Sequence, residues 1–346
     1  MIRVSPYYNR TRESINSAQM FISTIIPTIG RPTLARAVYS VLDQNFEAED
    51  CEVIVVNDSG KDLPVESWQK LDNVRLLSTN RLNRSIARNT GAAIATGRYL
   101  HFLDDDDWML PGAFEAFWDA TRNSSAAWFH GGFRMVDSVG AKIADVFHEE
   151  SGNCLINLIS WEWLPLQASI VDANAFFKVG GFAMLESLKG GFEDIHLTRQ
   201  IACKYEFLNL PKLVACIRSG DTGSTTNLAD MFIQNQQSRE KILELPGSYQ
   251  RLISSARNNP TRNGYWQGKV VYYSLISALK NFRARRLFIA GSRMLFALMS
   301  FLTAGRYLFQ TAFWHGATKP HFPPVWQAIR DSGKQLFPNT RWNENA

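Results

Sequence analysis

From residue 21 to residue 103, short apolar runs alternate with stretches of helical periodicity, and that alternation restricts the chain to βαβ units and a mostly parallel sheet. Strands are expected at 21–26, 52–56 and 99–103, with a weaker one at 74–77. Between the first two, Pro32 stands where a helix can begin, and Leu34, Val38, Val41 and Leu42 recur at the spacing of one helix face. A second helix is expected over 85–96, with Arg84 and Arg88 at its start and Gly97 marking its end. In an open α/β sheet ligands gather beyond the carboxyl ends of the strands. Pro27-Thr28, Asn57-Asp58 and the run Asp104 to Asp107 all fall there.

Four consecutive aspartates at one strand end repel one another unless a cation sits among them. Carboxylate oxygens suit hard cations such as Mg²⁺ or Mn²⁺, which in turn neutralise a diphosphate. The same run also suits a solvated turn that caps the segment from Leu110 onward, since Asp is frequent at turns and helix starts.

After Pro111 the pattern predicts a helix carrying Phe114, Phe117 and Trp118, then two strand-like pieces at 127–130 and 133–136 and a turn at 137–140. A further apolar run at 166–171 leads to Gly180-Gly181-Phe182 and to Gly190-Gly191-Phe192-Glu193-Asp194, where Glu193 and Asp194 start a helix over 195–202 and His196 is a partly buried helix residue. From about 231 the chain reads as helical. With 346 residues, 45% of them hydrophobic, it can bury a large core. There is no repeat, low-complexity tract or Pro-rich linker, so we expect an N-terminal extension (1–20), one catalytic domain (21–225) and a helical extension (226–346). The four cysteines have no paired spacing, which fits a reducing cytosol, and the first twenty residues lack the apolar core of a signal peptide. The formal net charge is +5, with Arg and Lys crowding the end, as if the tail met an acidic surface.

Five motifs in order resemble the inverting glycosyltransferases of family 2. They are Ser23-Thr24-Ile25-Ile26-Pro27-Thr28, Val53-Ile54-Val55-Val56-Asn57-Asp58-Ser59-Gly60, Ser85-Ile86-Ala87-Arg88-Asn89-Thr90-Gly91, Phe102-Leu103-Asp104-Asp105-Asp106-Asp107, and Gly180-Gly181-Phe182 followed by Phe192-Glu193-Asp194. The resemblance, over roughly 20–225, implies a GT-A fold: an α/β, Rossmann-like mixed sheet flanked by helices, here with a C-terminal helical extension. It also implies a nucleotide-diphosphate-sugar donor and a divalent metal, Mn²⁺ or Mg²⁺. On this resemblance Pro27, Thr28 and Arg31 lie near base and ribose, and Asp58 accepts a hydrogen bond from the base. Asn57 stands where family members often have a second aspartate. Arg84 and Arg88 meet the diphosphate or the base, because guanidinium forks suit phosphate oxygens. Asp104 points toward ribose and metal, Asp106 binds the metal, Asp105 shares either task, and Asp107 is a capping or structural carboxylate. Asp194 is the base that takes the acceptor's proton, with Glu193 orienting the acceptor or a loop. The loop 218–224, where family members often carry a histidine, offers Arg218 and Asp221.

Residues 266–314 combine many apolar side chains with Lys280, Arg283, Arg285, Arg286, Arg293 and Arg306, but the longest charge-free run, 294–305, is too short to span a bilayer. Two arrangements satisfy this pattern. Either paired amphipathic helices cover the catalytic domain, or a basic helix lies on an anionic membrane. Trp314 closes this stretch and Trp326 follows it. The expected setting is surface glycan assembly, with a glycan or lipid-linked acceptor, in the cytoplasm or peripheral to the plasma membrane's inner face. Rival readings are a nucleotidyltransferase and a non-catalytic nucleotide-sugar-binding module. No Gly-rich P-loop or dinucleotide fingerprint occurs, and the scattered basic residues make no recognised nucleic-acid module.

Overall fold

The structure, a computed structural model, describes residues 20–44, 51–160, 163–184, 192–219, 237–283 and 285–318. Among the described residues nine strands form one mixed sheet in the order β3-β2-β1-β4-β8-β6-β9-β5, with β7 paired to β6. The strands are β1 (Ile22–Thr28), β2 (Cys51–Asn57), β3 (Val74–Ser78), β4 (Tyr99–Phe102), β5 (Trp108–Met109), β6 (Trp128–Val136), β7 (Lys142–Val146), β8 (Ser169–Asp172) and β9 (Phe207–Arg218). The first four are parallel, as the βαβ pattern requires, whereas β8 runs antiparallel to both β4 and β6. This is the GT-A-like mixed sheet expected from the sequence.

Period-two alternation divides the strand residues between two cores. Ile22, Ile26, Val53 and Val55 face one side, where α1 (Leu34–Leu42) contributes Val38 and Val41 and α3 (Ala113–Arg122) contributes Phe114 and Phe117. Ile25, Ile54, Val56 and Phe102 face the other, against Ala87 of α2 (Arg84–Ile94), Phe176 of α5 (Ala173–Val179) and Leu197 of α6 (Glu193–Ala202). The short α4 (Leu155–Ile159) is buried throughout.

Three expectations change. The helix expected over 85–96 is α2: Asn83 caps it by accepting from the Ser85 and Ile86 N–H groups (3.0 and 3.2 Å), and it ends at Ile94. Gly97 is therefore not its cap. A Cβ on Gly97 would lie 2.5 Å from the Ser23 nitrogen, so this glycine lets the chain enter β4 tight against β1. The two pieces expected at 127–130 and 133–136 are one strand, β6, which runs through Gly131 and Gly132 with register shifts against β9 at those residues. A Cβ on Gly131 would meet the Lys212 carbonyl oxygen at 2.8 Å, and one on Gly132 the Phe147 ring at 2.6 Å, so the pair admits neighbours on either side.

Beyond β9 the described chain is helical: α7 (Ser248–Asn258), α8 (Pro260–Arg283), α9 (Leu287–Thr303) and α10 (Thr311–Thr318), after a helical segment at 237–243. This part is tied to the segments around α4 and α6 by buried and partly buried polar contacts. The Ser255 hydroxyl donates to the Asn153 carbonyl (2.8 Å) and accepts from the Ile156 N–H (3.0 Å), while Arg251 donates to the Ala202 and Tyr205 carbonyls (3.1 and 2.7 Å). The four cysteines are buried and unpaired with one another. Among the described residues no helix is long and apolar enough to cross a membrane.

Candidate active site

Register brings the polar ends of the first strands together. Thr28 pairs with Asn57 across β1 and β2, and Ile25 pairs with Phe102 of β4, so the aspartate run emerges beside Thr28. The Thr28 hydroxyl donates to Asp105 Oδ2 (2.6 Å) and accepts from the Gly30 N–H (2.9 Å). Arg31 engages the other oxygen of Asp105, and its Nε lies 4.0 Å from Asp106 Oδ2. Asp105, almost fully buried, thus faces the β1 loop and ties Thr28 and Arg31 to the cluster. Pro27 is one residue back, paired with Val56.

Asp58 is buried at the end of β2 and holds the loop 79–83. It accepts from the Thr79 hydroxyl (2.7 Å) and from the N–H groups of Arg81 (2.6 Å) and Asn83. In that loop Asn80 and Leu82 adopt φ of 50° and 49°, a left-handed conformation that a non-glycine residue keeps only where its surroundings enforce it. Asn57 folds its amide onto its own turn, donating to the Lys61 carbonyl (2.7 Å) and accepting from the Ser59 hydroxyl (2.7 Å).

Oxygens of Asp104, Asp106 and Asp107 lie within 4.8 Å of one another. Burial would push the Asp104 carboxyl up, but Arg88, Arg84 and Arg31 outweigh it and hold that group below the ordinary range. Asp106 is pushed up by burial and by Asp104, against the pull of Arg31. Asp107 is pushed up well beyond the ordinary range, by burial and then by Asp104 and Asp106. Asp104 thus pushes up both Asp106 and Asp107, and the three form a hard oxygen donor set whose repulsion a divalent cation relieves, so these residues fit the expected metal. Of the two roles expected for Asp107, capping and structural, the structural one holds. The next helix, α3, begins only at Ala113 behind Gly112, and Asp107 instead accepts the Arg218 N–H (2.7 Å), fixing the end of β9 beside the cluster.

Arg88, on α2, joins the cluster to the acidic pair at the start of α6. Its side chain is 3% exposed. One terminal nitrogen donates to Asp104 Oδ1 (2.6 Å) and the other to Glu193 Oε1 (3.2 Å). Arg84, 42% exposed, also approaches Glu193 (3.3 Å), and Arg31 is 47% exposed. Thus Arg88 is engaged by carboxylates, whereas Arg31 and Arg84 keep much of their guanidinium surface open to a ligand. Asp194 accepts from the Trp163 indole N–H (3.1 Å) and from the Ile195 N–H (2.7 Å). Burial and the neighbouring Glu193 push its carboxyl up to about 6, against the pull of Trp163, Arg88 and the Ile195 N–H. A carboxylate with that affinity is ionised at neutral pH and accepts a proton more readily than an ordinary aspartate. His196, expected to be partly buried, is fully so and meets the Ser238 hydroxyl at 3.0 Å.

Trp163 and Gln167, absent from the sequence reading, complete the site from the segment before β8. Gln167 donates to Asp104 Oδ2 (2.9 Å) while its carbonyl meets the ring of His101 (3.1 Å). Their only sequence signal is a Trp and a Gln in an otherwise apolar run; the partners lie 31 and 63 residues away. Replacing Trp163 with Phe keeps the ring and removes the N–H that favours ionised Asp194. The acid limb of the rate profile should then move up by about one pH unit, as a lost hydrogen bond to a charged group implies. Nucleoside-diphosphate release followed from pH 5 to 8 checks this; an unmoved limb would show that the contact does not tune Asp194. The loop expected to close over the site lies outside the described residues from residue 220 on, as do Gly190 and Gly191.

A domain model for glycosyl transferase family 2 matches residues 23–186. Residues 23–186 form a family 2 glycosyltransferase domain. Among relatives, the poly(ribitol-phosphate) β-N-acetylglucosaminyltransferase TarP of Staphylococcus aureus is 27% identical over 171 residues, covering 48% of this chain and 48% of TarP. Chondroitin synthase of Escherichia coli is 29% identical over 153 residues, 41% of this chain and 22% of the synthase. The chain therefore spans about half the length of TarP and less of the synthase. Among solved structures, S. aureus TarS 1-349 in complex with UDP-GlcNAc aligns at a TM-score of 0.58 with 17% identity, over 80% of this chain and 90% of that one, which shows a shared fold. The matched family 2 region ends at 186, but the sheet continues to Arg218 and the acidic pair lies at 193–194.

Proposed function

We propose that this protein is an inverting glycosyltransferase that moves a sugar from a nucleotide-diphosphate sugar to an acceptor hydroxyl by single displacement. The observation that carries this reading is the Asp104–Arg88–Glu193 bridge. It holds a strand-end carboxylate cluster suited to a metal and a diphosphate next to Asp194, a carboxylate suited to accept a proton. In the reaction Asp194 takes the acceptor's proton as its oxygen bonds to the anomeric carbon, and the bond from that carbon to the diphosphate oxygen breaks. Glu193 keeps Arg88 and Arg84 in place. Arg31 and Arg84 bind phosphate oxygens, and Pro27, Thr28 and Asp58 border the nucleoside, with Asp105 positioning Thr28 and Arg31. Asp104, Asp106 and Asp107 would hold Mn²⁺ or Mg²⁺, whose chemistry here is neutralisation of the departing diphosphate.

The first donor to test is a UDP-N-acetylhexosamine, because the fold neighbour TarS was solved with UDP-GlcNAc and TarP is named for N-acetylglucosamine transfer. The acceptor we infer is a surface glycan or a lipid-linked saccharide, met at the cytoplasmic side of the membrane with the enzyme peripheral to it. Residues 21–225 are the catalytic unit of this reading and 226–346 its helical extension. Incubating the protein with a panel of nucleotide sugars, acceptor saccharides and Mn²⁺ should release nucleoside diphosphate, and a chelator should stop the release. Pyrophosphate as the product would make it a nucleotidyltransferase, and donor binding without any turnover would make it a binding module.

A further inference from the structure

Helix α9 presents its large side chains outward and its small ones inward, the reverse of a helix built for water on one side and a core on the other. Only Ala290 and Ala297 of α9 are buried. At 3.6 residues per turn, exposed apolar side chains run from Met294 through Leu298, Leu295, Phe288 and Met299 to Phe296, an arc of about 200°. A soluble amphipathic helix has an apolar stripe of about 100° facing the core. Phe288 is 90% exposed, and Phe309, just past α9, is 93% exposed.

The neighbouring helix contacts follow the same rule. A Cβ on Gly268 of α8 would lie 2.0 Å from the Phe313 carbonyl oxygen, and one on Gly316 of α10 would lie 2.2 Å from that of Tyr265, so α8 and α10 cross backbone to backbone through glycines. Small residues between helices and large ones outside are how helices pack in lipid, where burial of large side chains between helices gains nothing. A second protein copy covers one face of a helix; lipid acyl chains cover a broad arc.

Charge supplies the other half of the argument. No acidic residue occurs between Glu244 and Asp331, while Arg283, Arg285 and Arg286 are exposed at the α8–α9 turn and Arg306 is exposed after α9. We infer that α9 and the α8–α9 turn form a docking surface for an anionic lipid bilayer. The apolar arc of α9 lies among the acyl chains, in the plane of the membrane, and these arginines meet lipid phosphates. The inference rests on the peripheral setting proposed above and not on the transfer chemistry.

The test uses the full chain without donor or acceptor, so its failure leaves sugar transfer untouched. Co-sedimentation is measured with phosphatidylcholine vesicles, with and without phosphatidylglycerol. Wild type should bind the anionic vesicles much more tightly than the neutral ones. The double variant Phe288→Asp/Leu295→Asp, at exposed positions, should lose at least about tenfold in binding. The triple variant Arg283→Gln/Arg285→Gln/Arg286→Gln, which keeps the apolar arc, should lose about a hundredfold on anionic vesicles only. Circular dichroism and melting temperature check that each variant is folded. No binding by wild type, or binding that the triple variant leaves unchanged, overturns the inference. So does a dimeric or larger mass in solution that the double variant reduces to the monomer without vesicle binding, which would assign this face to a second copy of the chain.

Discussion

Asp194→Asn is expected to lower sugar transfer by about 10²- to 10⁴-fold, the range for removal of a general base, while leaving donor affinity within about twofold. The amide is the same shape as the carboxylate. Trp163 donates to Oδ2 and the Ile195 N–H to Oδ1, so the single amide oxygen keeps one of these two contacts and the side chain keeps its volume and place at the start of α6. What is lost is the ability to take a proton. In the wild-type enzyme the carboxyl, pushed up to about 6, must be ionised to act, so the rate should fall about tenfold per pH unit below that value and level off above it. The amide variant has no such limb.

The same substitution should not destabilise the protein at neutral pH. A carboxyl whose folded value lies above its unfolded one binds its proton more tightly in the folded state. Stability therefore declines as pH rises from the ordinary aspartate range through about 6, and the deficit persists above it. An amide in its place does not ionise and removes that deficit, which offsets the one hydrogen bond it loses. Steady-state kinetics beside a urea melt at pH 7.5 separates the two effects. An inactive variant that had also lost several kcal/mol of stability would point to a structural role for Asp194.

Arg88→Met should be the most destabilising single change at the site. Arg88 is 3% exposed and answers Asp104 and Glu193, and Glu193 itself is 5% exposed. Methionine approximates its volume but leaves the buried Glu193 with only the half-exposed Arg84 as its cation, a broken buried pair for which about 3–5 kcal/mol is typical. At about 2–4 °C per kcal/mol, the melting temperature falls by roughly 10 °C. Arg88→Lys should recover little, since an ammonium cannot reach two carboxylates in the fork geometry. The double variant Arg88→Met/Glu193→Gln should recover part of the loss, because it removes one stranded charge along with the cation. A loss below about 1 kcal/mol in Arg88→Met, or no recovery in the double variant, would mean that the bridge carries no weight.

Most of the nucleotide half of the fold was legible because its signals are local. Alternation over 22–26 and 53–56 and the Leu34–Val38–Val41 stripe each report one face of one element, and the parallel order follows from their succession. The signals failed where a contact depends on chain brought from far away. Gly131-Gly132 looked like a break between strands; its need for glycine comes from Lys212 on β9 and Phe147 just past β7. For Asp107 the sequence leaves a capping and a structural role open, and nothing local chooses between them. The partner of Asp107 is the N–H of Arg218, 111 residues later. Trp163 and Gln167 gave no signal at all, since an indole and an amide become site residues only once the segment before β8 is laid beside β4 and α6.

The most direct test of the account is the melting temperature with Mn²⁺ and a nucleotide sugar added separately and together, in wild type and in Asp106→Ala. Among the described residues the Asp106 side chain has one ion-pair contact, to Arg31 at 4.0 Å, so the variant should melt at or near the wild-type temperature without ligands. Wild type should rise by several degrees only when metal and nucleotide sugar are both present, because a ligand that binds the folded state alone stabilises it. Asp106→Ala should lose that joint rise. An equal metal-dependent rise in both proteins would contradict the central claim that this carboxylate cluster seats the metal and the diphosphate together.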